Sequence, residues 1–174
     1  MQRPASVTAF GILNIVFAVF GVFGLFATIA MFSITDTSSN PVVKIMRESP
    51  AYAAWLKLTI PVGLLTCGIL LAAGIGLLRM AAWGRKLSIG YAIYAVVFGT
   101  VGLAMNIIYV FRPMLEESAQ KQGPEAAGAI GGAVGGIIGA GFGLIYPILL
   151  LIFMTRSGIV AAFRPATPPP LPLT

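Results

Sequence analysis

LTIPVGLLTCGILLAAGIGLLRMAAWGRKLSIGYAIYAVVFGTVGLAMNIIYV, residues 58–110, decides the fold. Two charge-free runs, Leu58–Leu78 and Leu87–Val110, flank a turn that carries Arg79, Arg85 and Lys86. At about 1.5 Å per residue, each run crosses the ~30 Å hydrocarbon core of a bilayer as an α-helix. The turn is too short for anything but a direct reversal, so these two helices are expected to be antiparallel neighbours.

Working outward, two more charge-free runs of sufficient length appear, Val7–Phe32 and Ala129–Met154. The expected fold class is therefore all-α, an integral membrane antiparallel four-helix bundle. Its domain spans residues 1–160, followed by a proline-rich tail over 161–174. Composition agrees: 58% of the 174 residues are hydrophobic and 9% charged, against roughly 25% charged in a soluble domain. The first run is far longer than the 7–15 residue core of a signal peptide, and is expected to stay in the mature protein. No N-terminal glycine signal or C-terminal prenylation box is read.

Orientation follows from the positive residues. The side holding the termini and the 79–86 turn carries Arg3, Arg79, Arg85, Lys86, Arg156 and Arg164 with no acid. On the other side Lys44, Arg47, Lys57, Arg112 and Lys121 are balanced by Asp36, Glu48, Glu116, Glu117 and Glu125. Lys/Arg excess in short loops marks the cytoplasmic face, so both termini are expected inside. Arg79, Arg85, Lys86, Trp83 and Trp55 read as interfacial anchors, with Tyr52 and Tyr109 on the outer side. The formal net charge of +6 is spread singly at span ends, so no nucleic-acid partner is expected; the partners are membrane lipid and either a second copy or another membrane protein.

In the first outer loop, Asn40 with Pro41 and Ser49 with Pro50 each read as an N-cap followed by proline at the first helical position. They predict a short interfacial helix after Asn40 and an outward extension of the second span from Pro50. Met114–Gln122 and Gly123-Pro124-Glu125 repeat the device more weakly in the second outer loop.

Small and polar residues mark the seams of membrane helices, because lipid is as apolar as leucine. In the third span Ser88, Ala92, Ala95, Gly99, Gly102 and Asn106 form one stripe at heptad spacing. Gly11, Asn14, Ala18, Gly21 and Thr28 follow the same period in the first span, and Gly63, Cys67 and Gly74 in the second. The fourth span carries Gly131, Gly135, Gly139 and Gly143 four apart, a glycine zipper, with Gly128, Gly132 and Gly136 beside it. That row is expected to be the most closely packed element, within the monomer or against another chain. Leu150 is expected beyond it, facing lipid or a looser layer, and Pro147 to kink the helix.

Candidate chemistry is sparse. The chain has no histidine, and its acids lie outside the spans. That argues against histidine-dependent triads, HExxH zinc sites and carboxylate-driven proton transport. Lys86 and Ser88 are two apart on one helix and face different ways. Cys67 is the single cysteine and reads as a small packing residue. No enzyme activity, cofactor or metal is expected. Asn14 and Asn106, the buried polar residues, are placed toward opposite faces of the membrane, each bonding a neighbouring helix. The bundle is expected to be mostly dry, with no ionisable residue inside.

Two segments, residues 3–15 (RPASVTAFGILNI) and 74–87 (GIGLLRMAAWGRKL), resemble small uncharacterised bacterial inner-membrane proteins with four helices. In these a leucine-rich span ends in Arg, a short gap and Trp-x-Arg. The resemblance implies a cell (inner) membrane location and no particular activity. Three functional readings stand: a non-enzymatic structural or accessory subunit acting through helix contacts; a small channel or carrier for a neutral or weakly polar solute, with Asn14, Thr100 and Asn106 along its path; and a sensor recruiting a partner through Pro168–Pro172.

Overall fold

A computed structural model of the chain describes residues 4–34, 41–120 and 124–163, without the side chains of 31–34, 41–44, 117–120, 124–129, 132 and 133. The described residues are helical almost throughout. The helices are α1 (Ala5–Ile34), α2 (Pro41–Glu48), α3 (Pro50–Leu78), α4 (Ala82–Asn106), α5 (Arg112–Gln120), α6 (Pro124–Thr155) and α7 (Ser157–Ala162), with a π-helical segment, Ile107–Phe111, joining α4 to α5. α1, α3, α4 with its continuation, and α6 are each long and apolar enough to cross a membrane. The Asn40 cap and the tail beyond residue 163 lie outside the described residues.

Local sequence accounts for the boundaries. Ser49 caps α3, its side chain accepting from the Tyr52 backbone N–H at 3.3 Å, with Pro50 at the first helical position where its missing N–H costs nothing. α3 ends in a Schellman motif: the Ala81 N–H bonds the Gly76 carbonyl at 2.9 Å and the Met80 N–H bonds Leu77 at 3.0 Å. This geometry needs a left-handed residue after the cap, and Met80 supplies it at φ 54°. The chain then turns directly into α4, five residues before the run of charge-free sequence begins at Leu87.

The third apolar run does not stop at Val110. Pro113 cannot donate to the carbonyl four residues back, and its ring would press on it. The wider π turn over Ile107–Phe111, where the Arg112 N–H reaches back to Ile107, carries the helix past this point into α5. α6 runs through Pro147 without interruption to Thr155.

α1 packs along α3, α3 along α4, and α4 along α6. The core lies at one end of the molecule, where Val7, Phe10, Leu77, Ala92, Leu150, Met154 and Ile159 cluster. Leu150 is fully buried there, which corrects the expectation that it faces lipid or a looser layer. α7 adds Ile159 to this cluster, so ordered structure reaches past the span end at Met154. Elsewhere the outer surface is apolar: Phe20, Leu65 and Phe142 are about two-thirds exposed, a surface that a soluble monomer rarely presents.

Candidate functional site

The sequence stripes meet where close approach is needed. A β-carbon added at Gly74 would lie 2.8 Å from the Gly11 carbonyl oxygen, and one at Gly21 would lie 2.7 Å from Cys67 Sγ. These glycines therefore set the α1–α3 distance. The tightest approach is between α3 and α4, where a β-carbon on Gly84 would be 2.4 Å from the Gly76 carbonyl carbon. In the α4 stripe Ala92 is fully buried. Gly99 accommodates Leu144 of α6, Gly102 lies beneath the Trp55 ring, and Ala95 lines the cavity described below.

The α6 row behaves differently. Added β-carbons at Gly131, Gly135, Gly139 and Gly143 meet nothing within 4 Å among the described residues. Among the described residues the within-chain packing expected at this row is not there: α6 meets α4 through Leu144 at Gly99, and enters the core beside Ala92 through Leu150 and Met154. Of the adjacent row, Gly136 faces the Phe111 ring.

Asn14 is completely buried and links three helices. The Tyr146 hydroxyl donates to Asn14 Oδ1, Asn14 Nδ2 donates to Ser88 Oγ at 3.3 Å, and the Ser88 hydroxyl donates to the Gly84 carbonyl at 2.9 Å. This continuous chain ties α1 to α6 and α4, and between membrane helices such bonds are worth roughly 0.6–2 kcal/mol each. Sequence reasoning placed Asn14 against a neighbour but gave no part to Tyr146. Asn106 departs from expectation: half-buried, it donates to Gly102 of its own helix at 2.8 Å. Its side chain occupies an i−4 carbonyl and does not bridge helices. Thr100 is exposed and bonds Val96 in the same helix. Asn14, Thr100 and Asn106 do not converge on one path.

The anchors divide. Arg79 and Lys86 are exposed and Trp83 is half-exposed, its ring over Gly76. Arg85 instead donates from Nε to the Met154 carbonyl at 2.9 Å, satisfying one of the open carbonyls at the end of α6. Arg156 lies 5.0 Å over the Phe153 ring. Trp55 stacks on Phe98 at 4.7 Å, and Phe98 on Tyr94 at 5.2 Å.

Beyond the Asn14 bridge the helices separate around a cavity of about 620 Å³, lined from α1, α3, α4 and α6. The interior is thus not closely packed throughout, and titratable Tyr91, Tyr94, Tyr146 and Cys67 side chains face this space. Neither Asn14, Thr100 nor Asn106 lines it. Tyr146 belongs to both features, its hydroxyl in the bridge and its ring on the cavity wall. No family model, curated protein or solved structure matches the chain. The chemistry available is that of shape, aromatic surface and a few neutral hydroxyls. Among the described residues no three His, Cys, Asp or Glu side chains come together as a metal site would need.

Proposed function

We propose that the chain is an integral protein of a bacterial inner membrane, crossing it four times as an antiparallel bundle with both termini in the cytoplasm. It acts without catalysis, as a structural or accessory subunit that makes helix contacts with a second copy or with a partner membrane protein. The observation that carries this reading is the unfilled glycine face of α6. Each glycine costs roughly 1 kcal/mol of helix propensity relative to alanine, and at Gly131, Gly135 and Gly139 no contact within the described residues offsets that cost. A neighbouring helix lying on this face offsets it through close backbone packing.

The membrane part of the reading is supported by the four long apolar helices and by the apolar outer surface. The end that carries Arg79, Arg85, Lys86 and Arg156 is the one where α1 begins and α6 ends, as the contacts of Val7 and Arg85 require.

Single cysteines at Gly131, Gly135 and Gly139, in a Cys67→Ser background, test it by oxidative cross-linking in native membranes. Adducts are expected at these positions and not at Leu65 or Val97, both of which lie exposed on other helices. The adduct mass distinguishes a second copy from a partner. Absence of adducts from all three glycine positions, or equal yields at Leu65, refutes the helix-contact role.

A further inference from the structure

The Asn14 bridge closes one end of the space between α1 and α6. Past it, α1 and α6 show no packing comparable to the α1–α3 or α4–α6 contacts. They touch instead through side chains near the bridge, Phe10 and Phe17 against Tyr146 and Phe10 against Phe153. The cavity lies behind this open seam. Phe20 of α1 and Phe142 of α6 both line it, yet are 68% and 67% exposed, which places them at its mouth.

Its volume of about 620 Å³ is that of a small-molecule pocket, for which roughly 300–1,000 Å³ is usual. Water is a poor occupant. At about 30 Å³ each, some twenty molecules would be needed, each wanting two to four polar partners. The Thr66 hydroxyl already donates to Val62 and the Tyr146 hydroxyl to Asn14. Two donors remain: among the described residues the Tyr91 and Tyr94 hydroxyls have no hydrogen-bond partner, and both residues line the cavity.

These two phenols constrain the ligand. They lie on α4, Tyr91 and Tyr94 four and seven residues past the start of the charge-free run at Leu87, and so about 6 and 10 Å inside it. Beside the phenols, the Tyr94–Phe98–Trp55 stack has successive rings inclined by only 26°, and Tyr94 and Phe98 from it line the cavity. Such a wall favours a flat ring over a flexible chain. We propose that the cavity binds a planar, oxygen-bearing lipophilic molecule that enters from the bilayer between α1 and α6 and accepts hydrogen bonds from Tyr91 and Tyr94. This site is separate from the glycine-face contacts and does not depend on them.

Trp55 provides the readout, because it stacks on the cavity-lining Phe98. In a Trp83→Phe background, purified full-length protein in lipid nanodiscs is titrated with menadione, a flat diketone, and with methylnaphthalene, its oxygen-free counterpart. Saturable quenching is expected with menadione, at several-fold lower concentration than with methylnaphthalene. Tyr91→Phe with Tyr94→Phe keeps the volume and removes the donors, and is expected to weaken menadione by roughly tenfold while leaving methylnaphthalene unchanged. Gly143→Leu puts bulk where an added β-carbon meets no atom and is expected to weaken both, with the helical circular dichroism of the parent retained. Quenching that is linear in concentration and equal in all variants overturns the site. Equal saturable binding of the two probes, unchanged by the phenylalanine pair, overturns the assigned ligand class.

Discussion

Gly84→Ala adds a single methyl at the closest point of the molecule. The new carbon would stand 2.4 Å from the Gly76 carbonyl carbon, 2.6 Å from Gly76 Cα and 2.7 Å from the Leu77 nitrogen. Favourable carbon–carbon contact begins at about 3.5 Å, so α3 and α4 must part by about 1 Å. All three opposing atoms are backbone, and no rotamer change can absorb the strain. The Schellman turn through Met80 holds the two helix ends together immediately beside the contact, which concentrates the displacement in the core around Leu77 and Ala92. Overpacking of this kind costs about 1–3 kcal/mol. Gly68→Ala, on α3, is the matched control: its methyl meets nothing within 4 Å, and any gain in helix propensity from replacing glycine is shared by both variants. The clash alone therefore separates them. At about 2–4 °C per kcal/mol for a chain of this size, Gly84→Ala is expected to melt about 2–12 °C below Gly68→Ala in mild detergent, followed by circular dichroism. If the two melt together, the Gly76–Gly84 contact is not where the structure places it, and the argument from backbone approach fails.

Three other outcomes are expected. Asn14→Leu breaks the bridge to Ser88 and Tyr146 and is expected to lose about 1–3 kcal/mol, whereas Asn106→Leu, which loses only a bond within its own helix, is expected to lose less than half as much; equal losses in detergent melting would contradict this. Leu150→Ala empties a fully buried site and is expected to cost about 2–5 kcal/mol, the range for core truncations, so parent-like melting would remove Leu150 from the core. Single cysteines at Ser39 and Ala82 in a Cys67→Ser background are expected to label oppositely with an impermeant maleimide on intact cells, position 39 reacting and position 82 not, and the reverse pattern would invert the proposed orientation.

The helices were legible because their signal is one-dimensional. Charge-free length identifies α1, α3, α4 and α6, and a serine followed by proline marks the start of α3. The polar bridge was harder, for a reason that lies in a helix boundary. Counted inward from the apolar limits Val7, Leu87 and Met154, the residues Asn14, Ser88 and Tyr146 lie seven, one and eight positions deep, too uneven to meet. Counted from the helix ends Ala5, Ala82 and Thr155, they lie nine, six and nine positions deep. The Schellman turn, which begins α4 at Ala82 in spite of Arg85 and Lys86, brings the three side chains to a common level. Arg85 can sit inside the helix because the Met154 carbonyl accepts from it.

The glycines show the opposite limit. A row of small residues removes side chains from one face and so permits close approach, but the permission is silent about which neighbour uses it. On α1 and α3 the permission is used mutually: Gly11 faces Gly74, and Gly21 faces Cys67. On α6 the row is longer and its neighbours are absent from the described chain, since the rotation of that helix is fixed elsewhere, by Leu150 and Met154 in the core, by Arg85 at its end and by Tyr146 on Asn14. Those contacts turn Gly131, Gly135 and Gly139 outward and leave Gly143 on the cavity wall. One glycine row therefore serves two surfaces: its first part is open to another helix, and its last residue leaves room inside the bundle. Bulk at Gly139 then acts on cross-linking and bulk at Gly143 on ligand binding, so the two proposals stand or fall on neighbouring turns of the same helix.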